Sequence, residues 1–187
     1  MAKTADSFEN ALAFIYDNNN VLVAKTSVIR HDPDKKYIEV AEGLDNIEPK
    51  TRLQILIVHP TGASECSGML RSERQGIFRI LIYDERQRDV RVSVRRSIHA
   101  KAVISDMVND SEAGALGEPL PVVIENMSTS GILIRLGNTR LDVGTLLQIE
   151  LKVDNKTGIL YGEVLREQKL SAGAYGYGCR LHFFDSP

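Results

Sequence analysis

The sequence predicts a mainly β protein: two small β-barrel domains in tandem, with one short helix at the N-terminus. Three observations carry that reading. Short apolar runs rich in valine, isoleucine and leucine recur along the chain with Gly, Pro, Asn and Asp clusters between them, the pattern of strands and turns. Leu147, Ile149, Leu151 and Val153 alternate with Gln148, Glu150 and Lys152, a period of two that buries one face and wets the other. Asp84 to Asp89 is charged and apolar-poor; read as a linker, it divides the 187 residues into domains 1–84 and 85–187, each of ordinary domain size.

The helix comes first. Ser7 is a candidate N-cap, Glu9 falls in the first turn, and Phe8, Ala11, Leu12 and Ile15 share one helical face, with Asp17 to Asn20 ending it. From Val21 the pattern is β. Val28–Arg30 and Tyr37–Val40 flank the turn-rich segment His31 to Lys35. Leu53–Val58 runs into His59-Pro60-Thr61-Gly62, and Cys66–Leu70 and Ile77–Tyr83 bracket Ser72–Gly76. Beyond the linker, strands are expected at Arg91–Val94, His99–Ile104, Pro121–Glu125, Gly131–Leu136, Thr145–Val153, Ile159–Arg166 and Tyr175–Phe184. Asp106–Pro119 is expected as a long loop.

Composition narrows the function. The net charge is −2, so bulk charge does not favour nucleic acid, and any anion site must come from local clustering. Tyr161, Tyr175 and Tyr177 fit packing better than base stacking. Cys66 and Cys179 lie far apart without a partner motif, which fits buried hydrophobes in a reducing, cytoplasmic setting. His31, His59, His99 and His182 lack metal-ligand spacing. No apolar run reaches the ~20 residues of a membrane-spanning helix, and Met1 to Asp6 lack the apolar core of a signal peptide. Gly173, Gly176 and Gly178 lack the strand–loop–helix setting of a nucleotide motif and read as a crowded strand. No nucleophile elbow, phosphate-binding loop or paired carboxylates stand in a catalytic setting, so no enzyme activity, cofactor or metal is expected.

What remains is an anion site. Arg86, Arg88, Arg91, Arg95 and Arg96 cluster at and after the linker. Downstream, Asn126-Met127-Ser128-Thr129-Ser130-Gly131 lies between the apolar strands Val122–Ile124 and Ile132–Ile134. Guanidinium groups grip phosphate oxygens, pair with guanine O6 and N7, and stack on purines. Short polar side chains and a glycine let a backbone approach closely. Alone, Asn-x-Ser-x-x-Gly is commonly just a turn; the strand context and the arginines give it meaning.

On these residues the second half, Arg86 to Phe184, resembles the PilZ domain, the bacterial receptor module for cyclic di-GMP. That family carries Arg-x-x-x-Arg before its barrel and Asp/Asn-x-Ser-x-x-Gly at the end of a later strand. Asn126-x-Ser128-x-x-Gly131 matches the second signature. The first admits two registers. Arg91-Val-Ser-Val-Arg95 satisfies the spacing. The alternative, favoured by the Val92-Ser93-Val94 strand that follows, makes Arg91 the second arginine and leaves Gln87 at the first position, between Arg86 and Arg88. The resemblance implies a six-stranded antiparallel barrel and a cyclic di-GMP site formed by Arg86, Arg88, Arg91, Arg95, Asn126, Ser128 and Gly131. It also implies a change of interdomain angle on binding, and a protein partner in the flagellar motor or another motility or surface apparatus. The first half resembles the β-barrel domain that precedes PilZ in flagellar-brake proteins. Two other readings stand beside this one: an adaptor of the same fold with a decayed site, and a β-barrel nucleic-acid binder, which the acidic balance disfavours. Asp185-Ser186-Pro187 looks like the start of the helix that relatives often carry after the last strand. Its absence would expose an apolar patch and favour a homodimer.

Overall fold

The computed structural model describes residues 7–59, 62–74, 76–86, 94–109, 112–114, 118–137, 139–153, 155–170 and 174–183. Among these there is no helix. The strands are β1 (Leu12–Tyr16), β2 (Leu22–Asp32), β3 (Tyr37–Ala41), β4 (Arg52–His59), β5 (Gly62–Arg74), β6 (Ile77–Arg86), β7 (Arg96–Asn109), β8 (Glu112–Gly114), β9 (Leu120–Met127), β10 (Gly131–Leu136), β11 (Leu146–Val153), β12 (Lys156–Lys169) and β13 (Tyr175–His182). The chain divides into two compact units, the first of residues 1–59 and 63–88 and the second of residues 60–62 and 89–187.

The first unit is a closed barrel in the order β1-β2-β3-β6-β5-β4. Its core includes Ala13, Ile15, Ile38, Val40, Ile55, Ile57, Phe78 and Ile80. The second unit is also a closed barrel. Its strands run β11-β12-β13-β10-β9-β7, β7 pairs back onto β11, and β8 is appended to β7. The alternation read from the sequence holds: Leu147, Ile149, Leu151 and Val153 are buried, while the residues between them face outward.

The N-terminal segment corrects the sequence reading, since the expected helix is a strand. Phe8, Ala11, Leu12 and Ile15 do fall at helical spacing, but Ala11 to Tyr16 is an unbroken apolar run buried on both faces, the pattern of a fully enclosed strand. β1 pairs with β2 on one side and β4 on the other. Asn10 has φ 66°, which breaks any helix entering it. Ser7 Oγ accepts from the Glu9 N–H, and Asp17 Oδ1 accepts from Asn19 and Val21, shaping the β1–β2 hairpin. Two further boundaries move. Asp84, Glu85 and Arg86, read as linker, belong to β6 and pair with Ser67, Cys66 and Glu65. Asp106 to Asn109, read as loop, extends β7, with β8 pairing back onto it. In both places backbone pairing supports charged residues that periodicity discounts.

One outer-face feature of the second barrel is electrostatic. Between the pairs Ser97–Asn126 and Ala100–Ile124, β7 places both Ile98 and His99 opposite Glu125, a bulge in which His99 takes φ 42°. Glu125 accepts from Arg135 Nε at 2.5 Å and meets His99 Nδ1 at 2.8 Å. The Arg135 hydrogen bond, with His99 assisting, holds the Glu125 carboxyl below its ordinary pKa of 4.5. A carboxyl depressed in the folded state stabilises the fold above its unfolded pKa, and that stabilisation is lost as pH falls through the folded value. Glu125→Gln is therefore expected to unfold at lower urea than wild type at pH 7 and to match it near the acid limit. An equal deficit at both pH values would show that charge is not what Glu125 contributes.

Candidate functional site

The site begins at the β9–β10 turn. β9 ends at buried Met127, and Ser128, 3 % exposed, is drawn inward behind it. The Ser128 N–H donates to the Gly131 carbonyl at 2.9 Å. Its hydroxyl donates to the same carbonyl at 3.2 Å and accepts from the N–H groups of Gly131 and Ser130 at 3.2 and 3.4 Å. Leu181 N–H on β13 donates to the Ser130 carbonyl at 3.0 Å, fastening the turn to the next strand. Ser128 thus shapes the turn, the local side-chain-to-backbone bonding that serine favours at such positions.

Gly131 has a different reason to be glycine than a left-handed conformation. A Cβ there would stand 2.8 Å from the Cys179 carbonyl oxygen on β13, closer than any side chain tolerates. The missing side chain lets β10 and β13 meet at the pair Gly131–Arg180. Burial pushes the nearby Cys179 thiol up to about 12, so it stays protonated and unreactive at neutral pH.

Register then lays one cross-strand row over five strands. Ser97 pairs with Asn126, Asn126 with Leu133, Leu133 with Gly178, and Gly178 with Arg166. The row underlies a cleft of about 550 Å³ lined in part by Arg95, Asn126, Ser128, Gly131, Arg166 and Arg180. Its described lining holds three guanidinium groups and no carboxylate. Arg180 is met by Glu163 at 3.8 Å, and Glu163 in turn by His182 at 3.0 Å. Such a surface suits a polyanion with flat apolar faces: arginines at the margins, with Leu133 and the glycines between.

Of the residues singled out from sequence, the structure brings Arg95, Asn126, Ser128 and Gly131 to this cleft. Arg86 ends β6, paired with Glu65. Gln87, Arg88 and Arg91, with the strand expected at Arg91–Val94, lie outside the described residues apart from Val94, as do Gly173 and Asp185-Ser186-Pro187. Sequence reasoning missed Arg166 and Arg180. A signal existed in Gly178, but its partner across the sheet depends on a register shift between Val164 and Arg166 that composition does not reveal. Among the described residues no group of His, Cys, Asp or Glu could hold a metal ion, and no helix is long and apolar enough to cross a membrane.

Residues 85–187 match the family model of the PilZ domain. No curated protein matches the chain. Among solved structures it is similar to the Bacillus subtilis inhibitor of motility MotI/DgrA, at 12% identity over 96% of this chain and 90% of that one, with a TM-score of 0.39. It is similar also to K. pneumonia MrkH in complex with c-di-GMP, at 15% identity over 93% and 80% with a TM-score of 0.40. A third is Escherichia coli YcgR in complex with c-di-GMP, at 12% identity over 92% and 76% with a TM-score of 0.38.

Proposed function

The chain belongs to the PilZ domain family, and on that premise we propose that it is a cyclic di-GMP receptor regulating motility or surface behaviour. The observation that supports this best is the gathering of Arg95, Asn126 and the Ser128–Gly131 turn around one cleft free of described carboxylates. Cyclic di-GMP carries two phosphates and two guanines. Arg91, with one of Arg86, Arg88 or Arg95, closes over the phosphates and stacks on a base. Asn126 hydrogen-bonds a guanine edge or a phosphate. Ser128 holds the turn in shape, and Gly131 lets the backbone of β10 lie low enough for the ligand to approach. Ordering of the arginine segment then alters the angle between the domains and docking on a protein partner of the flagellar motor or another surface apparatus.

Calorimetric titration tests the reading. Wild type is expected to release or absorb heat with cyclic di-GMP, and Arg91→Ala to weaken binding by roughly tenfold or more, since hydrogen bonds to charged groups contribute about 1.5–3 kcal/mol each. A folded sample that gives no heat at high micromolar ligand sinks it.

Gln87 favours a second reading. A glutamine at the first arginine position supplies no charged fork, and a chain that had lost binding there would act as an adaptor through protein contacts alone.

A further inference from the structure

Gly178 and Arg166 face each other across β12 and β13. Were a Cβ present on Gly178, its three nearest heavy atoms would all belong to Arg166: Nε at 3.0 Å, Cγ at 3.2 Å and Cδ at 3.7 Å. The arginine stem therefore lies across the bare backbone of β13, in the space that any other residue at 178 would fill. The register shift between Val164 and Arg166 is what brings it there. Without the extra residue, strict alternation from buried Val164 would turn Arg166 inward; instead both Leu165 and Arg166 are exposed and line the cleft. Arg180 has Glu163 beside it and Arg135 has Glu125. Arg166 has no such carboxylate among the described residues. It ends the cross-strand row, three strand spacings or roughly 14 Å from Asn126.

We propose that Arg166 is a ligand-gripping residue of this cleft and that Gly178 is the residue that positions it, an assignment that rests on reading the cleft as a cyclic di-GMP site. An arginine whose stem is seated on the neighbouring strand has less freedom to lose on binding than one extended into solvent. It meets the phosphate or guanine edge farthest from Asn126. The two signatures of the sequence then describe only part of the binding surface. The outer face of β12 and β13 supplies the rest.

A double-mutant cycle with cyclic di-GMP, read by calorimetry, tests both halves. Arg166→Ala is expected to weaken binding roughly ten- to hundredfold with the thermal midpoint unchanged. Arg166→Lys, which keeps the charge and loses the fork, falls between. Gly178→Ala meets only a movable side chain, so it folds; it is expected to weaken binding about tenfold in the wild-type background and to add nothing in the Arg166→Ala background. Binding of wild-type strength in Arg166→Ala overturns the assignment and leaves the receptor reading standing. Losses that add in the double variant overturn the positioning role of Gly178. If Gly178→Ala does not fold, the Arg166→Ala and Arg166→Lys pair still decides the role of the guanidinium. A wild type that does not bind overturns the receptor reading, and this assignment with it.

Discussion

Gly131→Ala is expected to destabilise the second barrel by about 1–3 kcal/mol, because an inserted methyl that cannot be accommodated in a packed region typically costs this much. The clash is with backbone: the new Cβ would stand 2.8 Å from the Cys179 carbonyl oxygen, and no rotamer change relieves it. β10 and β13 must separate at the Gly131–Arg180 pair. That separation pulls on Ser130, whose carbonyl receives the Leu181 N–H, and on the Ser128 hydroxyl that holds the turn. Amide hydrogen exchange should therefore speed up in β10, β13 and the turn, and stay unchanged in β1 to β6, which form a separate barrel. Gly137→Ala is the matched control, since nothing lies within 4 Å of a Cβ there. Binding of cyclic di-GMP should fail in Gly131→Ala together with the loss of stability. A variant as stable as wild type would show that β10 and β13 can part without cost, and the signature glycine would then need a ligand-side explanation alone.

How much of this was legible beforehand follows from what each pattern reports. Period-two alternation reports a strand with one wet face, and Leu147 to Val153 was readable because that barrel wall is solvated outside. β1 has no wet face: Leu12, Phe14 and Tyr16 are as buried as Ala13 and Ile15. Its period is therefore erased, and the remaining spacing happened to fit a helix. Only pairing decides the matter, with β2 across the hairpin and with β4, distant in sequence, on the other side. The ends of β6 and β7 were hidden for a related reason. Their charged residues take part in ladders whose hydrogen bonds do not depend on side-chain type. At the cleft, Ser128 was legible because a turn is local and its residue type is dictated locally, whereas Gly131 answers to the Cys179 carbonyl on β13. Arg166 was not, because its place depends on a bulge at Leu165 and on a glycine one strand over.

Gln87→Arg is expected to tighten cyclic di-GMP binding roughly ten- to hundredfold, the worth of about 1.5–3 kcal/mol for a charged hydrogen-bonding group at a phosphate. The expectation follows from the register in which Arg91 is the second arginine and position 87 the first. Gln87 can offer one neutral amide there, where arginine offers a planar fork of charged donors. Arg86 and Arg88 flank the position in sequence, but neither stands at it in this register. The competing register makes a different prediction. If Arg91 and Arg95 are the pair, Gln87→Arg changes little and Arg95→Ala removes binding; the presence of Arg95 at the cleft supports that alternative. The two substitutions therefore separate three cases in one titration series. A gain at 87 with modest loss at 95 assigns the first register. No gain at 87 with severe loss at 95 assigns the second. Binding that appears only in Gln87→Arg identifies the natural chain as an adaptor, because the turn, the cleft and Arg166 would then be intact around a clamp that lacks one jaw.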